Sequence, residues 1–152
     1  MSKLWEKNYS LDAAIERFTV GEDYLLDKQL VAADCVASIA HAKMLASIDI
    51  LTQEEAEKLT RELLSIIAQA EKGAFMIARE DEDCHTAIEN HLVKALGESG
   101  KKIHTGRSRN DQVIAALRLY ARDFLLAYQD ETLKTAAHLA AFAARHEFTP
   151  MP

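Results

Sequence analysis

The sequence predicts an all-α protein: a small helical N-terminal domain followed by the first long helix of a central helix bundle. Three observations carry this. Among 152 residues there are only 5 Gly and 2 Pro, and 7% are aromatic, a composition that favours helix over strand. Apolar residues recur at i, i+3 and i+4 spacing along most of the chain. Capping boxes and glycines bracket those periodic stretches. With 49% apolar and 28% charged residues, the chain has the make-up of a folded domain with a real core.

Residues 1–22 read as irregular, with Leu4, Trp5, Phe18 and Val20 as anchors onto the core. A helix is predicted over 23–46, with Leu26, Leu30, Ala33, Ala37 and Ala40 on its inner face. After a turn at Ser47-Ile48-Asp49, the capping box Thr52-Gln53-Glu54-Glu55 opens the next helix. Its inner face is Ala56, Leu59, Leu63, Ile66 and Ala70, and Gly73 stops it. Residues 75–78 are a short apolar run without clear periodicity. The acids that follow suit a helix start, and a helix over 83–96 stacks Ile88, Leu92 and Leu96 before Gly97.

The last helix is predicted over 108–145, roughly 38 residues or about 57 Å long. Val113, Leu117, Tyr120, Phe124 and Ala127 form one stripe on it; Leu119, Leu126, Leu133 and Ala140 form another. Two stripes imply burial from more than one side, as inside a bundle, so association is expected. The boundary falls near 105, giving an N-terminal helical domain over 1–105 and a loop plus long helix over 106–152.

A net charge of −6 argues against general nucleic-acid binding. Cys35 and Cys84 lack ligand spacing and read as reduced thiols, which suits a cytoplasmic protein. No apolar run has the length of a membrane span.

The richest chemistry lies in Lys101-Lys102-Ile103-His104-Thr105-Gly106-Arg107-Ser108-Arg109-Asn110-Asp111. A basic loop here runs into a long helix, whose unpaired first-turn N–H groups and dipole favour an anion. Arg107 and Arg109 offer forks for carboxylate or phosphate. Ser108 and Asp111 have capping-box spacing, and Asn110 offers both a donor and an acceptor. This is a site for a small anion.

Gly106-Arg107-Ser108-Arg109-Asn110-Asp111, preceded by Lys102-Ile103-His104-Thr105, resembles the first signature of argininosuccinate lyases, members of the aspartase/fumarase superfamily. The run from Asp34 to Leu45, the segment Glu82-Asp83-Cys84-His85 with Glu89, and the opening Leu4-Trp5 are similar to that family too, in the same order. Departures are Glu6-Lys7-Asn8-Tyr9, where the family often has Gly-Gly-Arg-Phe, and Gly21-Glu22-Asp23, near a position where many members carry a substrate-contacting serine. The family's later signatures, Gly-x-Thr-His and a Ser-rich loop, are absent, so the chain reads as an N-terminal portion expected to be inactive alone.

The resemblance implies reversible elimination of L-argininosuccinate to L-arginine and fumarate, without metal or organic cofactor, in a homotetramer whose active sites draw on three subunits. It implies a catalytic serine base and a second histidine in the later regions. It places His85 at the active site, and Asn110, with Arg109, Ser108 and Arg107, on the substrate carboxylates. Glu89, one turn after His85, could orient its imidazole. Plainer readings stand beside these. Asn110 could cap the long helix, Arg107 could pair with the acids at 80–83, and His85 could be a satisfied structural histidine. Asp83 reads as an N-cap first. His85 and His91 lie roughly 240° apart around a helix, which argues against a metal set with Glu89. Other readings of the whole are a superfamily lyase acting on adenylosuccinate, fumarate or aspartate, and a non-catalytic relative.

Overall fold

The computed structural model describes residues 21–150 together with Ile15 and Phe18. Leu4, Trp5 and Val20 lie outside the described residues. Phe18, expected as an anchor, is 90% exposed. Every regular element among the described residues is helical: α1 (Asp23–Leu26), a 3-10 turn (Asp27–Gln29), α2 (Val31–Ser47), α3 (Gln53–Glu71), a 3-10 turn (Arg79–Asp81), α4 (Cys84–Leu96), α5 (Glu98–Lys101), a 3-10 turn (Lys102–His104) and α6 (Arg109–Arg145).

The predicted single helix over 23–46 is broken, and its two parts meet at a bend of 68°. The Leu30 N–H closes a tight turn on the Asp27 carbonyl at 2.8 Å. The Asp27 carboxylate accepts from the Cys84 N–H at 3.1 Å, so this turn is tied to the start of α4. The inner face changes as a result. Leu26 is 60% exposed and Ala40 is also outside, whereas Val31, Asp34, Cys35, Ser38, Ala42 and Leu45 face inward.

α3 follows its sequence closely. Thr52 Oγ1 accepts from the Glu55 N–H, and the Glu55 carboxylate accepts from the Thr52 N–H. Ala56, Leu59, Leu63 and Ile66 are buried, with Ala70 at the edge. Gly73 takes the left-handed φ of +66° that ends the helix. Phe75 and Ile77 then turn inward and Met76 outward along an extended segment. Together with Leu51 and Ile103 they fill the space between α2, α3 and α4, each fully buried side chain contributing about 1.5–3 kcal/mol.

Glu55 does more than cap. Its carboxylate also accepts from Lys102 Nζ at 2.6 Å and Ser99 Oγ at 3.1 Å, joining α3 to the basic loop. The Lys102 hydrogen bond, then the Thr52 amide, hold its carboxyl at about 2, against an ordinary 4.5. The unfolded chain therefore binds a proton more readily, and stability rises with pH through this window. The contribution is complete above pH 4.5 and is lost as pH falls towards 2. Acid titrations followed by circular dichroism should show a shallower stability loss in that window for Glu55→Gln. An unchanged slope would show that Glu55 contributes nothing.

α6 packs against α2 through its first turns only. Gln112 and Ala116 are buried there, and the Tyr120 hydroxyl donates to Gln29 Oε1. From 122 to 150 every residue is exposed. Val113, Leu119 and Tyr120 of the two expected apolar stripes are partly buried, but the rest is uncovered in the single chain: Leu117, Phe124, Leu126 and Leu133 are 47–62% exposed. No single helix among the described residues is long and apolar enough to cross a membrane.

Candidate active site

The basic loop reaches α6 through a turn at Gly106, whose φ is +67°. Ser108 is the N-cap. Its Oγ accepts from the Asp111 N–H, and the Asp111 carboxylate accepts from the Ser108 N–H at 3.0 Å and its hydroxyl at 2.9 Å. These bonds hold the Asp111 carboxyl below its ordinary range. Capping therefore falls to Ser108, which leaves the exposed Asn110 side chain without a hydrogen-bond partner among the described residues.

The two arginines divide differently from the sequence reading. Arg109, not Arg107, reaches the acidic segment: its Nη1 donates to Asp83 Oδ1 at 3.2 Å and its Nη2 to Thr86 Oγ1 at 3.1 Å. Asp83 is also the expected N-cap of α4, accepting from the Thr86 N–H at 2.7 Å. Arg107 turns inward instead and donates from Nη1 to Ser38 Oγ at 3.1 Å. Burial pulls its guanidinium below the ordinary value, with Asp34 opposing. Its Nε is buried without a partner among the described residues.

His85 is 2% exposed. Its orienting partner is Asp34, at 2.9 Å from Nδ1, rather than Glu89. Glu89 faces the loop and pairs with His104 Nε2 at 3.0 Å, a contact that holds the Glu89 carboxyl below its usual range. The separation of helical turns explains the exchange. Both lie on one face of α4, but His85 in its first turn is level with Asp34 of α2, while Glu89 one turn further on is level with His104. His41 donates from Nε2 to the Thr105 carbonyl at 3.0 Å. Burial lowers its readiness to protonate.

Three site residues were missed by sequence reading: Asp34, Ser38 and Gln112. Asp34 accepts from Gln112 Nε2 at 2.8 and 3.0 Å and from Ser38 Oγ at 3.4 Å. The available signal was a carboxylate and a hydroxyl at i, i+4 inside an otherwise apolar helix. Nearby, the donor atoms of Asp27, Cys84 and His85 lie within 4.8 Å of one another. Burial, then the charge of Asp27, drives the Cys84 thiol far above its ordinary value and keeps it protonated, and the Asp27 carboxylate is engaged by the Cys84 amide. The Asp27 carboxylate is thus tied to Cys84 and the His85 ring to Asp34, and metal binding would need the Cys84 thiolate.

The first turn of α6, the unengaged Asn110 amide and the guanidiniums of Arg107 and Arg109 put donors and positive charge in one region, a chemistry that suits an anion. A model of the lyase family matches residues 7–149, and the chain belongs to that family. It is similar to argininosuccinate lyases: 52% identical over 143 residues to that of Thermotoga neapolitana, covering 94% of this chain and 36% of the relative. The enzyme of Sorangium cellulosum is 45% identical over 150 residues, covering 99% of this chain and 35% of the relative. That of Bacteroides thetaiotaomicron is 50% identical over 120 residues, or 79% and 27%. The chain spans about a third of the length of the first two relatives.

Proposed function

We propose that the protein carrying this sequence cleaves L-argininosuccinate to L-arginine and fumarate. The observation that carries the reading is the position of Asn110: exposed, unengaged, in the first turn of a helix of 37 residues, next to Arg109 in sequence and three residues after Arg107. Elimination removes a proton beside a carboxylate and builds negative charge on that carboxylate before the C–N bond breaks. Donors fixed in advance where the charge grows lower the barrier. Asn110 would bind the succinyl carboxylate, Arg109 and Arg107 would supply the surrounding positive potential, and Ser108, by capping the helix, would position the first turn against the substrate carboxylates. His85 would support binding or a conformational step. The proton-abstracting base would come from outside these 152 residues.

The proposal extends to assembly. Residues 1–105 would form a small helical domain, and 106–152 would open a central bundle, where neighbouring helices cover the exposed stripes of α6. A homotetramer with sites shared among three subunits fits this reading, as does action in the cytoplasm. The test is fumarate release, followed by ultraviolet absorbance, from argininosuccinate, adenylosuccinate, malate and aspartate supplied to the full-length protein. Release from argininosuccinate supports the proposal. Release from another of these alone would replace it with a different superfamily lyase, and release from none would favour a non-catalytic relative.

A further inference from the structure

We propose that Asp34 is a positioning residue that fixes the ring of His85 through one carboxylate oxygen and aims Arg107, by way of Ser38, through the other. The inference rests on the reading that His85 and Arg107 serve the elimination site. Asp34 is fully buried, at 0% exposed. A carboxylate in such a place is costly unless its oxygens are satisfied, and here both are. Oδ2 faces His85 Nδ1 at 2.9 Å and Oδ1 faces the Ser38 hydroxyl at 3.4 Å, with Gln112 Nε2 bridging both. Apolar residues would join three helices at least as well as a buried ionic cluster does. What a carboxylate adds is direction.

That direction follows from bonding rules. An ionised carboxylate only accepts, so the proton of the shared bond sits on His85 Nδ1, which fixes the ring orientation and the role left to Nε2. Ser38 has one hydrogen and gives it to Asp34, so its oxygen must present a lone pair to Arg107 Nη1 at 3.1 Å. The orphaned Nε of Arg107 leaves the Ser38 bond as the side chain's only hydrogen bond among the described residues. One buried charge thereby sets two groups at the site, one on α4 and one in the loop before α6.

The test is a pair of near-isosteric variants in the full-length protein. Asp34→Asn replaces one accepting oxygen by an NH2 group, so that either the His85 ring must change tautomer or the Ser38 hydroxyl must turn away. It is expected to lower kcat/KM for argininosuccinate by about 10- to 100-fold. Ser38→Ala cuts only the Arg107 branch and is expected to raise KM while leaving kcat within about twofold. Proton NMR of the substrate-free wild type should show a downfield Hδ1 resonance from His85, lost or moved upfield in Asp34→Asn. Should Asp34→Asn not fold, the Ser38→Ala split and the wild-type resonance still decide. Lowered melting temperatures with wild-type kcat and KM, or no downfield resonance in the wild type, would overturn the inference. A wild type inactive on argininosuccinate but showing the resonance would overturn the functional reading alone.

Discussion

Asn110→Ala is expected to lower kcat for argininosuccinate cleavage by about 100- to 1,000-fold, the range found when a single donor to a developing oxyanion is removed. The melting temperature should not move. The Asn110 side chain is exposed and bonded to nothing among the described residues, and the cap of α6 belongs to Ser108 and Asp111. Truncating it therefore removes no interaction from the fold, and a kinetic loss would report on the bound substrate. Fumarate absorbance and differential scanning calorimetry on the same preparation give both numbers. A kcat within about threefold of wild type would remove Asn110 from the site.

The second large effect is on stability. Gly100→Ala is expected to destabilise the protein by about 3 kcal/mol or more, at the upper end of the cost of overpacking. A Cβ at this position would lie 2.6 Å from the Leu92 carbonyl carbon and 2.8 Å from the Val93 nitrogen. These are backbone atoms of α4, so no side-chain rotation relieves the clash. α5 would have to lift, and with it the start of the basic loop that leads to Arg107. A lower urea midpoint with an unchanged slope is the expected result; an unchanged midpoint would mean that α5 does not pack this closely.

What was legible in the sequence is what local chemistry decides. The capping boxes at Thr52 and Ser108, the cap at Asp83 and the bounds of α3, α4 and α6 all depend on residues within one turn of each other. The pairing of polar side chains was not legible, because it depends on how helices rotate against one another. Asp34 meets His85 across 51 positions and Gln112 across 78. The small-residue stripe Ala33, Ala37 and Ala40 suggested one inner face for α2, but the tie between Asp27 and Cys84 turns another inward. That rotation brings Asp34 and Ser38 to the site. It also explains the exchange of arginine partners: with Ser38 facing the loop, Arg107 has a buried acceptor, and Asp83 is left to Arg109.

The outer part of α6 has a consequence for how the molecule becomes ordered. From 122 to 145 the helix runs about 36 Å with no residue buried in the chain itself. Isolated helical segments are marginal in water, since nucleation is costly and propagation gains little per residue. The turns around Gln112 and Ala116 are anchored within the chain, whereas on the proposed assembly the remainder gains its restraint when another copy arrives. Amide exchange beyond 121 should therefore slow as protein concentration rises, while exchange near Ala116 stays constant. On that proposal about two thirds of this helix, 24 of its 37 residues, folds with the order of reaction of a collision.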